Sequence, residues 1–318
     1  MLEKRGHMQD TQREIRNVAL LDLTGATSEQ TLDGVGRIVN VATILVPASL
    51  LGKLMTIPMQ NVAATVPIPD GKTVRVMTGQ VTLSGEALAN ADGPQDEVLV
   101  VAGQLIITTP VQRVGFSQLI TMGQVVAPVG SETALGAGLS RMSGQVVYYP
   151  YTPGATVEVL FGSTRITGAD LANPRGQPTD ILIALGQLVI VGPVDAIGYA
   201  RVVAVGHIVA PREHEAALTG CLTAVGGQIV FSSASPRLFD GKDSFSAGFF
   251  ELFDEPITLV LDGKFTFEAD VSPQLLKRAV AAIVLDGRII APRTLVPMLQ
   301  VLTVARDGRI VADDDAET

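Results

Sequence analysis

Two stretches of this sequence align with each other without a gap. The first, Gly85–Pro128, reads GEALANADGPQDEVLVVAGQLIITTPVQRVGFSQLITMGQVVAP. The second, Gly168–Pro211, reads GADLANPRGQPTDILIALGQLVIVGPVDAIGYARVVAVGHIVAP and lies at a constant offset of 83 residues. About a third of the aligned positions are identical and most others exchange similar residues, which indicates a tandem duplication.

A shorter period runs through both copies and beyond them. A Gly or Asn, here called a marker residue, opens each apolar strand that the sequence predicts. The markers are Asn17, Asn40, Asn61, Gly79, Gly103, Gly123, Gly144, Gly162, Gly186, Gly206, Gly227, Gly263, Gly287 and Gly308. Steps of 24, 20, 21 and 18 residues recur between them. Gly and Asn both tolerate a left-handed backbone, so we expect positive φ at most markers, at one corner of each repeat.

The residues after each marker alternate in polarity, as in a strand with one buried face. The second and fourth positions are mostly apolar and are expected to point inward. The first position is expected to point outward, and it is occupied by Gln80, Gln104, Gln124, Gln145, Gln187, His207, Gln228, Lys264, Arg288 and Arg309. Stacked Gln side chains predict a stabilising amide ladder, and a ligand-binding surface is the alternative.

These patterns predict a β-rich repeat solenoid of stacked parallel strands, with about 14 rungs of roughly 20 residues and short helical connections. The clearest predicted helix is SPQLLKRAVAAIV, with Ser272 as N-cap and Pro273 at its first position. The rival architecture is an arc similar to leucine-rich repeats, with helices on the outer side.

The short rungs and apolar inward columns resemble parallel β-solenoids, and in particular the bactofilins, bacterial scaffold proteins that polymerise end to end. This resemblance covers the repeat pattern of the whole chain. It implies a cytoplasmic scaffold that assembles with copies of itself.

The predicted organisation follows the rungs. Residues 1–16 form an N-terminal cap or a frayed end, and residues 17–236 form the repeat solenoid with the 83-residue duplication. A Phe-rich insertion covers residues 237–254, further rungs cover 255–312, and an acidic tail covers 313–318.

Composition excludes several functions. The chain has 318 residues and a formal charge of −9, which disfavours nucleic acid and anionic membranes as partners. Its apolar runs are too short for a membrane span. Cys221 is the single cysteine, so no disulfide can form within the chain, and the charged N-terminal sequence lacks the features of a signal peptide. We therefore expect a cytoplasmic protein.

No catalytic or metal-binding motif is recognisable. The spacing of His207, His214 and Cys221 is not one that builds a zinc site, and His7 lies far away in sequence. A nucleophile elbow, a phosphate-binding lysine loop and a complete dinucleotide fingerprint are all missing. The sequence predicts no catalytic residues, no metal, no cofactor and no enzymatic activity.

One segment breaks the spacing of the markers. Eight of the ten phenylalanines lie between Phe231 and Phe267. Four apolar residues there have helical spacing and are predicted to bind a partner: Phe245, Phe249, Leu252 and Phe253. The alternative is a helix that folds back and plugs the core of its own chain.

The functional expectation is a non-enzymatic structural scaffold or interaction protein, a homo-oligomer or polymer that assembles through its ends or flank. Two alternatives remain open. One is a solenoid that binds carbohydrate or acts on a polysaccharide. The other is a monomeric adaptor that docks one protein through the Phe-rich segment.

Overall fold

The structure is a computed structural model that describes residues 13–315. The chain divides into two compact units, residues 1–148 and 149–318. Within the described residues the strands form four separate sheets, A to D, and all the pairings between strands are parallel.

Sheets A and B belong to the first part of the chain. Sheet A contains β1 (Arg13–Asp22), β2 (Val35–Pro47) and β3 (Met59–Ile68), in that order. Sheet B contains β4 (Val74–Leu83), β5 (Val98–Ile107), β6 (Gln118–Thr121), β7 (Val125–Pro128), β8 (Leu139–Met142) and β9 (Val146–Tyr149). Its order is β8-β6-β5-β7-β9, and β4 also pairs with β5.

Sheets C and D follow. Sheet C contains β10 (Val157–Phe161), β11 (Thr164–Thr167), β12 (Ile181–Leu185), β13 (Leu188–Val191), β14 (Arg201–Pro211) and β15 (Leu222–Ser232). Its order is β10-β12-β14-β13-β11, and β15 also pairs with β14. Sheet D contains β16 (Ser235–Phe245), β17 (Ile257–Phe267), β18 (Val280–Ala291) and β19 (Thr303–Ala312), in that order.

Short helices connect many of the strands, as predicted. They are α1 (Leu51–Leu54), α2 (Gly85–Leu88), α3 (Glu132–Gly138), α4 (Gly168–Leu171), α5 (Glu215–Leu218), α6 (Ala247–Glu251), α7 (Pro273–Ala279) and α8 (Val296–Leu302). The predicted start of α7 is confirmed, because Pro273 is its first residue and the Ser272 side chain accepts a hydrogen bond from Leu275 N at 3.2 Å.

The prediction of a β-solenoid is wrong. The strands do not form one continuous stack but four separate parallel sheets, among them a half-barrel and a nearly closed barrel. The hydrogen-bonded pairing stops between β3 and β4, between β9 and β10, and between β15 and β16. The first two of these breaks coincide with marker steps of 18 residues, the shortest in the predicted series. The spacing of the markers therefore predicts the length of each repeat. It does not predict whether neighbouring repeats pair within one sheet.

The prediction for the marker backbone is confirmed. Nine of the fourteen markers have positive φ, including the three Asn residues of sheet A. The others are Gly for a second reason, which Gly123 illustrates: a Cβ there would lie 2.3 Å from Gly103 O in the preceding strand. Glycines stack directly on glycines at these corners, and no side chain fits between them.

The two copies of the duplicated block place corresponding strands at the same offset, although some strands that are continuous in one copy are split at the marker in the other. In the first copy Val74 pairs with Val98, and 83 residues later Val157 pairs with Ile181. α2 and α4 are likewise separated by 83 residues. The equivalence extends to the left-handed backbone of Asn90 and Asn173, with φ of 45° and 46°.

Each sheet buries an apolar face, and within each unit the sheets share a second apolar contact. Side chains of sheets A and B form one such cluster, which includes Leu45, Val66 and Val98. Side chains of sheets C and D form another, which includes Val209 and Val260. This second contact buries side chains that point away from the core of their own sheet. Those side chains would be exposed if the sheet stood alone.

The structure describes only part of each predicted end segment but all of the Phe-rich segment. Of residues 1–16, only 13–16 lie within the described part, in β1, and of the acidic tail only Asp313–Asp315 do, as a 3-10 turn. His7 also lies outside the described residues. Residues 237–254 contain most of β16 and all of α6, with Gly241 at φ 84° as a further marker. They supply a regular strand of sheet D rather than an addition to the repeat.

Candidate functional site

Sheet A has an asparagine ladder in place of the glycine column of the other sheets. Asn40 Nδ2 donates to Asn17 Oδ1 at 3.0 Å, and Asn61 Nδ2 donates to Asn40 Oδ1 at 3.0 Å. All three residues have φ between 53° and 57°. Asn adopts this left-handed backbone more readily than other non-glycine residues and adds an amide that bonds between strands. The corner of sheet A is therefore fixed by side chains as well as by the backbone.

The outer edge of β3 is unpaired by a further strand in residues 13–315, and β3 itself contains no charged residue. β3 has the sequence MQNVAATVPI and pairs only with β2 among the described residues. A groove of about 550 Å³ runs along it. Its lining is mainly apolar and consists of Leu51, Met55, Met59, Asn61, Val62, Thr65, Pro67 and Arg141. Met55 is 65% exposed, which is unusual for a large apolar side chain.

One polar contact occupies this edge. Arg141, in β8, donates from Nη1 to Thr65 O of β3 at 2.9 Å. The bond satisfies one backbone carbonyl on the open side of the strand. Among residues 13–315, the part of the edge around Met59 and Val62 has no such contact.

Several other edge strands carry charges where their inner neighbours carry apolar residues, whereas β9 and β15 are uncharged. Arg75, Glu158 and Arg237 occupy the same position in the first strands of sheets B, C and D, and each pairs with an inner-strand Leu. In the last strand of sheet D, Arg306 pairs with Leu285. Charges at such positions are a known means of stopping a sheet from adding a further strand. β3 has no residue of this kind.

The outward position after each marker behaves differently in the two copies. Gln104 and Gln124 are partly exposed, as predicted, and Gln80 Nε2 donates to Gln104 Oε1 at 3.4 Å. The prediction is wrong for Gln187 and His207, which are 0% and 2% exposed. The cause is sheet D, whose Leu261 O accepts from Gln187 Nε2 at 3.0 Å.

Several polar groups meet at this contact between sheets C and D. His207 Nδ1 accepts from Gln228 N at 2.9 Å, so its Nε2 carries the proton of the neutral ring. Burial is the main cause that lowers the pKa of His207, against the opposing effect of Asp307. Burial, with the charges of Asp262 and Asp307, raises the pKa of Asp286.

The four residues predicted to bind a partner do not lie on one helical face. Phe245 ends β16 and is 1% exposed, within the core of sheet D. Phe249, in α6, and Phe253 are partly buried against the same core. Leu252 is 79% exposed. Most of this apolar surface is therefore packed within the chain, and Leu252 is the part that remains available to another molecule.

The residues considered as metal ligands are not brought together. His214 Nε2 accepts from Val194 N at 3.1 Å, and Cys221 is buried, which raises the pKa of its thiol. Across residues 13–315 no group of three or more His, Cys, Asp or Glu side chains has the arrangement of a metal site.

A larger cleft, of about 760 Å³, lies in the second unit. Its charged lining residues are Arg165, Asp195, Glu213, Arg237 and Glu255. None of the residues that line it is aromatic. The charges are of both signs, so the cleft does not select an anion or a cation by charge alone.

No protein-family model, curated protein or solved structure matches this chain. Its class is defined by its own geometry: a repeat protein of short parallel sheets whose strands bend at a Gly or Asn corner. In the described part of the chain no helix has the length and apolar character to cross a membrane.

The groove along β3 was not found from the sequence. Two signals pointed to it: the markers of sheet A are Asn instead of Gly, and β3 is uncharged along its full length. Neither signal locates the open edge by itself, because the sequence does not show that sheet A ends at β3.

Proposed function

We propose that this chain is a non-enzymatic structural or interaction protein that self-associates through open edges of its parallel sheets. The observation that carries the proposal is the β3 edge, which has no charged residue of its own and borders a mainly apolar groove of about 550 Å³ with Arg141 at one end. A strand edge presents unpaired backbone donors and acceptors that another strand satisfies.

The side chains along β3 support the same proposal. Met59 and Val62 are only partly buried, although their neighbours in β2, Ile38 and Val41, are fully buried. Covering such a side chain contributes on the order of 1 kcal/mol, in addition to the backbone hydrogen bonds. An added strand would give β3 the surroundings that β2 already has.

A charge on the edge tests the proposal. Val62→Lys is expected to weaken self-association about tenfold or more, because the ammonium group would be covered by the added strand. Val304→Lys is the matched control, since Val304 is 50% exposed on β19, a strand that already carries Arg306 and Arg309. Sedimentation velocity over a range of concentrations measures the association, and thermal melting confirms that both variants fold. A wild-type chain that stays monomeric at every concentration and salt would refute the proposal.

A second candidate is an adaptor that docks one protein beside the Phe-rich core of sheet D. Leu252, with 79% of its surface exposed, favours this alternative. Leu252→Lys would then weaken association while Val62→Lys would not. The carbohydrate-binding alternative has less support, because the cleft in the second unit lacks the aromatic side chains on which sugar rings usually stack.

We also propose a cytoplasmic location. The support is the single cysteine, Cys221, which is buried and has no partner for a disulfide within the chain. Cell fractionation with an antibody against the protein tests this.

A further inference from the structure

We infer that the partner of the β3 edge is β1 of a second copy, paired in parallel and in the register that continues the asparagine ladder. This inference rests on the proposed function and specifies its interface. It follows from the two ends of sheet A, which are complementary to each other.

The ladder has a direction, and its ends differ. Each Asn amide nitrogen donates to the amide oxygen of the preceding strand. Within residues 13–315 this leaves the amide nitrogen of Asn17 and the amide oxygen of Asn61 without a hydrogen-bond partner. A second copy whose Asn17 lies beside Asn61 would add the next bond of the same series.

The apolar columns continue across the same junction. Ile15 pairs with Ile38, which pairs with Met59, and the next column is Val18, Val41 and Val62. In the inferred register, Ile15 of the second copy covers Met59 and its Val18 covers Val62. These residues of β1 are themselves only partly buried, so both edges have apolar surface to bury.

Charges do not oppose this junction. β1 carries Arg13, Glu14, Arg16 and Asp22, and in the inferred register none of them lies opposite a charged residue of β3, because β3 has none. Like charges directly opposite each other destabilise strand pairs, so their absence between β3 and β1 favours the pairing.

Arg141 regulates how far the pairing extends. Its bond to Thr65 O occupies a carbonyl that the second copy needs for full-length pairing. Since β1 and β3 are different surfaces, the contact is heterologous, and each added copy leaves one free edge of each kind. The product is an open chain of copies rather than a closed dimer.

Cysteine cross-linking tests the register. Ala19 and Ala63 each follow the ladder Asn by two positions, and both are exposed. Neighbouring residues in adjacent strands lie within the range that a disulfide spans, whereas two residues separated by an intervening strand do not. Ala19→Cys and Ala63→Cys are purified separately, mixed and oxidised with oxidised glutathione, which accepts the two electrons as the thiols form the disulfide.

A cross-linked dimer is expected in the mixture and not in either variant alone. The double variant is expected to give a series of longer oligomers. Wild type is the control for Cys221, which is buried and has a raised thiol pKa. Cross-linking of Ala63→Cys with itself would indicate β3 paired with β3 and overturn the inference.

The same experiment separates the two proposals. If the wild type assembles in sedimentation but the mixture gives no cross-link, the inference fails and the proposed function stands. If the chain neither cross-links nor assembles, both fail.

Two further variants test the residues that set the junction. Asn61→Gly keeps a residue suited to φ 53° but removes the amide, and is expected to weaken association about tenfold. Asn173→Gly, at φ 46° in sheet C's part of the chain, is the matched control and is expected to leave association unchanged. Arg141→Ala is expected to strengthen association several-fold, and weakening in that variant would contradict its assigned role.

Discussion

The first and second copies of the duplicated block share a backbone and differ in what surrounds it. Gln104 is partly exposed and bonds to Gln80 in the next strand, whereas its counterpart Gln187 is fully buried and bonds to Leu261 O of sheet D. The glycine corners and apolar columns are common to both copies. The burial and hydrogen bonding of outward-facing residues therefore depend on the neighbouring sheet and not on the repeat itself.

A second difference concerns the charge at the first strand of each copy. Arg75 forms two hydrogen bonds with the buried Glu97, at 2.9 and 3.0 Å, and lies 5.6 Å from the ring centre of Phe116. In the second copy, Glu158 replaces Arg75 and accepts a hydrogen bond at 2.6 Å from Tyr199, which replaces Phe116.

A third difference between the copies concerns the buried acid. Asp180 replaces Glu97 and accepts from Gln177 N at 2.7 Å and from Asn173 Nδ2 at 3.2 Å. The hydrogen bond from Gln177 N is the main cause that lowers the pKa of Asp180. Each copy thus satisfies the hydrogen bonds of its buried acid with different partners.

The largest expected effect comes from the corner that the copies share. Gly103→Ala places a Cβ 1.8 Å from Gly79 O, so the two strands must separate. We expect a loss of about 4 kcal/mol in the free energy of unfolding, measured by chemical denaturation. Gly79→Ala is the matched control, because its Cβ has open space and only the left-handed backbone opposes it, at a cost of about 1 kcal/mol. Equal losses in the two variants would show that backbone angle, and not close packing, requires Gly103.

These corners explain how much of the fold the sequence predicts. Gly103 and its equivalents indicate parallel strands with a bend, and Ser272 and Pro273 locate a helix. The division into four sheets is not predictable in the same way, because the inward columns are alike on both sides of each break. Burial of Gln187 is also unpredictable, since it depends on sheet D, which begins about 50 residues later in the chain. The open edge at β3 is a consequence of the same breaks.

The next largest effect is expected when residues of the first copy are replaced by their counterparts in the second. Arg75→Glu leaves Glu97 without its ion pair and adds a second acid beside it. Because Arg75 is 49% exposed, the loss is discounted for solvent screening to about 2 kcal/mol. Adding Phe116→Tyr supplies the hydroxyl that Tyr199 provides in the second copy and is expected to restore about 1 kcal/mol. A double-mutant cycle by denaturation measures this coupling, and strictly additive losses would contradict it.

A smaller effect is expected at the aspartate column that faces the second copy. Burial raises the pKa of Asp286 above 3.8, so between pH 3.8 and the folded pKa the folded form holds a proton that the unfolded chain has released. The resulting stability is present below pH 3.8 and is lost as the pH rises through the folded pKa. Asp286→Asn should therefore stabilise the protein at neutral pH, by about 0.5 kcal/mol after allowance for solvent screening, and should give no gain below pH 3.8. Thermal melts across this range measure it, with Asp240→Asn, an exposed member of the same column, as the control.

The smallest effect at neutral pH is expected when one residue of the second copy is replaced by its counterpart in the first. His207 stands where the first copy has Gln124, and burial lowers its pKa below 6.5. The unfolded chain then binds a proton that the folded ring resists, so the stability is fully present above pH 6.5 and decreases as the pH falls towards the folded pKa. Protonation also places a hydrogen on Nδ1, which removes the acceptor for Gln228 N. His207→Gln should thus change stability little at neutral pH and reduce the acid-induced loss by about 0.5 kcal/mol, as measured by denaturation at about pH 5 and about pH 7. His214→Gln is the control, because His214 accepts from Val194 N on a different part of the chain. An unchanged pH dependence in His207→Gln would show that the buried ring is not the group whose protonation destabilises the fold in acid.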